Sequence, residues 1–462
     1  MNAPRIMIAA VSSGSGKTMI TCGILQALVN RGMKVASFKC GPDYIDPMFH
    51  ENVIGTESKN LDLFLADTRT TKYIFGSTAE NSDISVVEGV MGFYDGKGGN
   101  SFEASSYDLS GRLDIPVILV VDTMGMSTSA AALVKGFTEF RENNIKGVIL
   151  NNMDEKIYDP IKEMIEKELK VPVMGYVPPV KELVIESRHL GLLMPHEITG
   201  LKEKLNGLAV LLERTLDIDE IIQTARSARD LRYEEPKFGY EKNNVKIGVA
   251  KDECFCFIYK DNIELLERFG AEIIYFSPLN DEHLPDDIEG MIIPGGYPEL
   301  YAERLSGNIS MLNEINSRIK EGMPCMAECG GFMYLHDELE DTSGILRKMV
   351  SVISGKAFRT EKLLRFGYAT ITSKNDGILN KDRNIKGHEF HFWESTDCGD
   401  DCDAVRTTGE RYGCMHNTEN LAAGFPHLYY LSDPGTANNF LVKCSLYEKR
   451  RGKPHRSQEL PV

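Results

Sequence analysis

Short β-rich apolar runs alternate with amphipathic stretches along most of this chain. That rhythm restricts it to parallel sheets covered by helices on both faces. Residues 6–11 read as a buried strand, 18–31 as a helix stopped by Gly32, and 34–38, 84–87, 116–122 and 147–150 as further strands. In such a sheet, ligands gather at the carboxyl ends of the strands. The rhythm breaks over 227–244, a polar stretch carrying Pro236, and resumes at Val245. Strands then read at 246–250, 272–277, 290–294 and 324–328, and helices at 262–269 and 310–319. At 462 residues the chain exceeds what one core holds. The expectation is an α/β protein with a first domain over 1–228, a linker over 229–244, a second domain over 245–448 and a polar, disordered tail over 449–462.

Composition narrows the function classes. A formal net charge of −16 disfavours broad nucleic-acid or membrane-surface binding, which needs basic patches. No run approaches the length of a membrane-spanning helix, and the first ten residues lead into a strand without signal-peptide architecture. The ten cysteines then read as reduced thiols of a cytoplasmic protein. Cys325/Cys329 and Cys398/Cys402 are two CxxxC pairs, but the first lies along a predicted strand, which spoils metal-ligand geometry. Cys22, Cys40 and Cys444 read as small buried hydrophobes.

Two strand-turn-helix stations carry chemistry. In the first, Gly14-Ser15-Gly16-Lys17-Thr18 follows a strand and opens a helix. Glycines let backbone N–H groups converge on phosphate oxygens, and the helix N-terminus adds partial positive charge. Lys17 would reach the terminal phosphates, and the Thr18 hydroxyl would ligate Mg²⁺. The usual phosphate loop has a glycine where this chain has Val11. Asp43 and Glu88 follow strands that end on the same rim and could complete the Mg²⁺ shell, with Lys39 neutralising a transferring phosphate. Asp43 alone reads equally as a Pro-Asp turn, and Glu88 as a helix cap.

In the second station, Cys329-Gly330-Gly331 lies between a strand and a helix, the context of a nucleophile elbow. The helix N-terminus is expected to lower the thiol pKa, and the Gly330 N–H to face a developing oxyanion. Gly296, in the glycine turn before Tyr297-Pro298-Glu299, is the second oxyanion donor. For the base, the residues leave His427 and the pair His388/His391 evenly matched.

Several longer segments carry a resemblance: 13–18, Phe38–Asp46 in full, 88–92, Arg188-His189-Leu190-Gly191-Leu192, 252–257, 276–279, 295–299, 328–331 and 387–391. Together they resemble the cobyrinate a,c-diamide synthases, glutamine-dependent enzymes of corrinoid biosynthesis, over nearly the whole length. The nickel-sirohydrochlorin a,c-diamide synthases share these motifs and remain an alternative. A phosphate-loop ATPase with a degenerate second domain is a more distant one.

The resemblance implies a first domain similar to the dethiobiotin-synthetase type, binding ATP, Mg²⁺ and a tetrapyrrole polycarboxylate. It implies a second domain of the class I glutamine amidotransferase type. ATP would convert the c and then the a acetate to acyl phosphates, and Cys329 would form a glutamyl thioester and release ammonia. The resemblance selects His427 as base; Tyr429 stands where the family has a second histidine. Many class I glutaminases carry a glutamate there to orient the base, so this chain is expected to work with a Cys-His dyad. Asn151 or Asn152 matches where related phosphate-loop domains read adenine, and Asn152 is the choice. Tyr44, Ile45, Asp46, Arg188 and His189 are substrate-side candidates, and a homodimer is the expected assembly.

Overall fold

The computed structural model describes residues 3–180, 187–188, 191–192, 198 and 200–451, in two compact units, Met1–Pro236 and Lys237–Val462. The first unit is built on seven parallel strands: β1 (Arg5–Ala10), β2 (Val35–Cys40), β3 (Glu57–Leu61), β4 (Ile84–Glu88), β5 (Val117–Asp122), β6 (Ile145–Asn151) and β7 (Val173–Val177). Their order is 3-2-4-1-5-6-7, so β1 sits between β4 and β5 near the middle. Its side chains Ile6, Met7, Ile8, Ala9 and Ala10 are fully buried on both faces, as a sheet with helices on each side requires. Helix α1 (Lys17–Asn30) follows β1 directly and packs through Gly23 against Leu208 and Leu212 of the helix Leu201–Thr215.

Strands β3 and β7 escaped the sequence reading. In β3, Ser58, Lys59 and Asn60 are buried although polar, so the strand lacks the apolar signature.

The second unit has a sheet of six strands in which Ala271–Phe276, Val245–Ala250, Gly290–Ile293, Cys325–Glu328 and Leu421–Gly424 run parallel. His416–Asn417 closes one edge antiparallel. A separate antiparallel sheet holds Arg411–Cys414, Cys402–Arg406, Arg365–Ser373, Asn384–His391 and His427–Tyr429 in that order. The strands of this sheet escaped the sequence reading: they alternate polar with apolar residues because one face of such a sheet is solvated. The described part of the unit ends on the helix Pro434–Arg451. Among the described residues no helix is long and apolar enough to cross a membrane.

Candidate active site

The loop between β1 and α1 has the geometry of an anion cradle. Gly14 and Gly16 take φ of 80° and 86°, the left-handed region that glycine enters without strain. No side chain caps α1, which leaves its first N–H groups available to an anion. A Cβ on Gly16 would overlap Asn151 Nδ2, which donates to the Ser15 carbonyl at 2.9 Å. Val11 is absent from the positive-φ residues and its amide bonds the Val120 carbonyl, so the missing glycine costs no strain there.

Around this loop, charges from four segments converge. Thr18 Oγ1 donates to Glu88 Oε1 at 2.5 Å. The Lys39 ammonium is buried against Asp46, lies 2.8 Å from Glu88 Oε1, and is 3.8 Å from Asp43 Oδ2. His50 Nε2 faces Glu88 Oε2 at 3.3 Å. Burial opposes ionisation of Glu88, but Lys39, His50 and Lys17 outweigh it and hold the carboxyl well below its usual range. Burial, then Asp43 and Glu88, push Asp46 up. Lys39 stays charged because its carboxylates overcome its burial. Lys17 has no salt bridge among the described residues; burial, then Lys39, lower its pKa.

Asp43 has a double role. Its Oδ1 accepts from the Ile45 and Asp46 amides, so the Pro-Asp turn is real, while Oδ2 faces Lys39. Thr18, Asp43 and Glu88 offer hard oxygen donors, and Glu88 Oε2 makes no hydrogen bond, so the set fits a magnesium ion completed by phosphate oxygens. No cluster of three or more His, Cys, Asp or Glu side chains with metal-binding geometry occurs among the described residues, CxxxC pairs included. Tyr44, Ile45 and Asp46 are buried around this cluster. Arg188 lies in a two-residue ladder with Gly191, and His189 lies outside the described residues. Asn152, at φ 53°, donates to Asp122 Oδ1 at 3.0 Å.

In the second unit, Cys329 sits at φ 47° and ψ −106°, a strained elbow that projects the sulfur where strand Cys325–Glu328 meets the helix Gly330–Tyr334. Three backbone approaches locate its neighbours. A Cβ on Gly330 would stand 3.0 Å from Gly296 N, so the two proposed oxyanion amides lie together. Gly296 itself, at φ 154°, leaves no space for a Cβ against the Cys254 carbonyl. A Cβ on Gly295 would overlap His427 Cε1, which puts the imidazole against the same turn. The strand Phe255–Phe257, which pairs with Gly295–Gly296, is held at its start by Asp252, which accepts from the Cys254 and Phe255 amides with Oδ1 and from Ser277 and Leu279 with Oδ2.

The expectation of a depressed thiol pKa is corrected. Burial and then Glu299 push Cys329 up, and the Gly330 N–H offsets this only in part. A helix of five residues has too little dipole to reverse that. Burial, then His388 and His391, hold His427 well below the usual histidine range, so it is a neutral base. His391 is engaged elsewhere, stacked on Phe425 at 3.9 Å and paired with Glu389. Sequence reasoning missed His50, Glu299 and Glu328. Glu328 is buried beside the nucleophile and pushed up to about 8 by that burial.

A strand-elbow cysteine with adjoining backbone donors and a neutral histidine, in a chain that also carries a phosphate-binding loop, defines a glutamine-dependent ligase with its own nucleotide site. The profile of the CobB/CobQ-like glutamine amidotransferase domain matches residues 246–435, and that of the CobQ/CobB/MinD/ParA nucleotide binding domain matches residues 6–192. Cobyrinate a,c-diamide synthase of Thermoplasma volcanium is 38% identical, with 98% of this chain and 99% of the relative covered. That of Priestia megaterium is 39% identical over the same shares, and that of Clostridium acetobutylicum 40% identical over 93% and 97%. The chain belongs to the cobyrinate a,c-diamide synthase family, and it is a carbon–nitrogen ligase that takes its nitrogen from glutamine.

Proposed function

We propose that the protein converts the c and then the a acetate carboxylate of cobyrinic acid to amides, using ATP and ammonia released from glutamine. The convergence of Cys329, Gly296, Gly330 and His427 carries this reading, because it gives the chain its own source of ammonia. Cys329 Sγ attacks the glutamine side-chain carbonyl while His427 takes the thiol proton, and the Gly296 and Gly330 amides receive the developing oxyanion. His427 returns the proton to the leaving nitrogen, ammonia departs, and water hydrolyses the thioester to glutamate.

In the first unit, Gly14 to Thr18 would cradle ATP phosphates, Lys17 would reach the outermost of them, and Asn152 would lie on the adenine side. Thr18, Asp43 and Glu88 would hold Mg²⁺, which supplies charge neutralisation at the phosphates. The substrate carboxylate oxygen bonds the γ-phosphorus as ADP leaves, and ammonia then displaces phosphate from the acyl carbon. Lys39, Tyr44, Ile45 and Asp46 would meet the reacting carboxylate, with Lys39, which already faces Asp43, Asp46 and Glu88, balancing the transferred charge.

Two substitutions test the assignment. Cys329→Ala should abolish glutamine use while amidation driven by ammonium salt survives, and Lys17→Ala should stop amidation with either nitrogen donor. Loss of both donors in the cysteine variant, or full activity in the lysine variant, would contradict it.

A further inference from the structure

We propose that His388 is a positioning residue for the glutaminase base, its ring stacked on His427 to do what a carboxylate does in a Cys-His-Glu triad. This rests on the assignment of Cys329 and His427 above. The position two residues past the base, where a triad acid would stand, is Tyr429, and its hydroxyl donates to Asp261 Oδ2 at 3.1 Å. Orientation of the imidazole therefore comes from another direction. Strand His427–Tyr429 pairs antiparallel with Asn384–His391, and the register sets His388 directly opposite His427. Directly opposed residues project to the same face of a sheet, and here the two rings lie nearly parallel, at 15°, with centroids 4.9 Å apart.

The stack is itself pinned. His388 Nδ1 and the Tyr259 hydroxyl are 3.0 Å apart, and Tyr259 is wedged edge-on against Tyr429 with centroids 5.2 Å apart. All four side chains are buried. His427 thus has the His388 ring stacked on one face and the Gly295 backbone close to its Cε1 and Nδ1, two contacts that restrict how the ring can tilt. The ionisable groups about the stack are His391, which acts on His427, Glu389, which acts on His388, and Asp261 behind Tyr429. Burial holds His388 down at about 4, so at neutral pH the clamp is an uncharged ring. A triad acid fixes the histidine and also stabilises its imidazolium; an uncharged ring supplies the first of these without the second.

The test uses the full-length protein with Mg-ATP and cobyrinic acid, and reads both glutamate release and ammonium-driven amidation. His388→Leu removes the flat face, His388→Phe restores a flat ring without nitrogens, and Tyr259→Phe releases the pin. In His388→Leu the kcat for glutamine should fall about tenfold to a hundredfold, the cost of a slightly misplaced catalytic group, with KM for glutamine and ammonium-driven amidation little changed. His388→Phe should recover most of that loss, and Tyr259→Phe should fall between wild type and His388→Leu. Full glutamine kcat in His388→Leu, a phenylalanine variant as slow as the leucine one, or a loss confined to KM would each overturn the proposal. If His388→Leu loses ammonium-driven amidation as well, Tyr259→Phe decides: a lower glutamine kcat with intact ammonium use supports the clamp, and an unchanged kcat overturns it. A Cys329→Ala protein that still releases glutamate would sink the nucleophile assignment instead. An inert Cys329→Ala beside a fully active His388→Leu sinks the clamp alone.

Discussion

Substituting Gly295 with alanine places one methyl group where the structure has room for none. The backbone at Gly295 is not in the positive-φ region, so alanine brings no conformational strain and the effect isolates one contact. The added Cβ would overlap His427 Cε1 and stand 3.1 Å from Nδ1 and 3.3 Å from Phe257 Cβ. Ordinary carbon contacts sit near ~3.5–4.0 Å, so the imidazole must retreat by about 1 Å or more. His388 is stacked on the same ring, which limits the directions open to that retreat. A displacement of that size costs about a hundredfold in rate, or about 3 kcal/mol of transition-state stabilisation. The overpacking itself costs about 1–3 kcal/mol of stability. The assay compares glutamate release with ammonium-driven amidation in the same preparation, with a thermal melt to follow the fold. Glutamine kcat should drop about a hundredfold while ammonium-driven turnover holds. Glutamine turnover near wild type would refute the placement of His427 against this turn.

Glu328 gives a pH signature. Its folded pKa, about 8, lies above the unfolded value, so the chain must take up a proton to fold once the unfolded carboxyl ionises. The stabilisation is complete below the ordinary glutamate range and is lost as pH rises toward 8, by up to about 4–5 kcal/mol in total. Denaturant titrations from acid to mild alkali should therefore show Glu328→Gln gaining on wild type as pH rises; parallel stability curves would count against it. Gly16→Ala combines a left-handed backbone with overlap onto Asn151 Nδ2. The strain of about 1–2 kcal/mol and the displaced loop should abolish the thermal shift on adding Mg-ATP, leaving glutamate release measurable. An undiminished ATP-induced shift would show that the cradle lies elsewhere.

Both stations were legible in the sequence because each is local: a strand, a glycine turn and a helix within a dozen residues. Most of the parallel strands of the first unit were legible for the same reason, since burial on both faces writes an apolar run into β1 and β5, whereas the polar β3 and the short β7 escaped. What escaped depends on register or environment. His388 and His427 lie on strands far apart in the chain, and their opposition follows from a pairing that polar, alternating sequences do not announce. The base was ambiguous among three histidines until a family resemblance chose one, and the structure gives the other two separate partners. The thiol expectation failed because the elbow predicts exposure and a helix dipole, whereas Cys329 is only 7% exposed and its helix is a single short turn. Asn151 and Asn152 are adjacent in sequence but differ in burial and partners, with Asn151 under the phosphate loop and Asn152 on Asp122.

The most direct measurement is mass spectrometry of the macrocycle after incubating the protein with glutamine and Mg-ATP, in parallel on cobyrinic acid and on nickel-sirohydrochlorin. The account predicts two successive carboxyl-to-amide mass changes on cobyrinic acid, each dependent on ATP. Amidation of the nickel compound alone, or ATP hydrolysis with neither macrocycle altered, would contradict it.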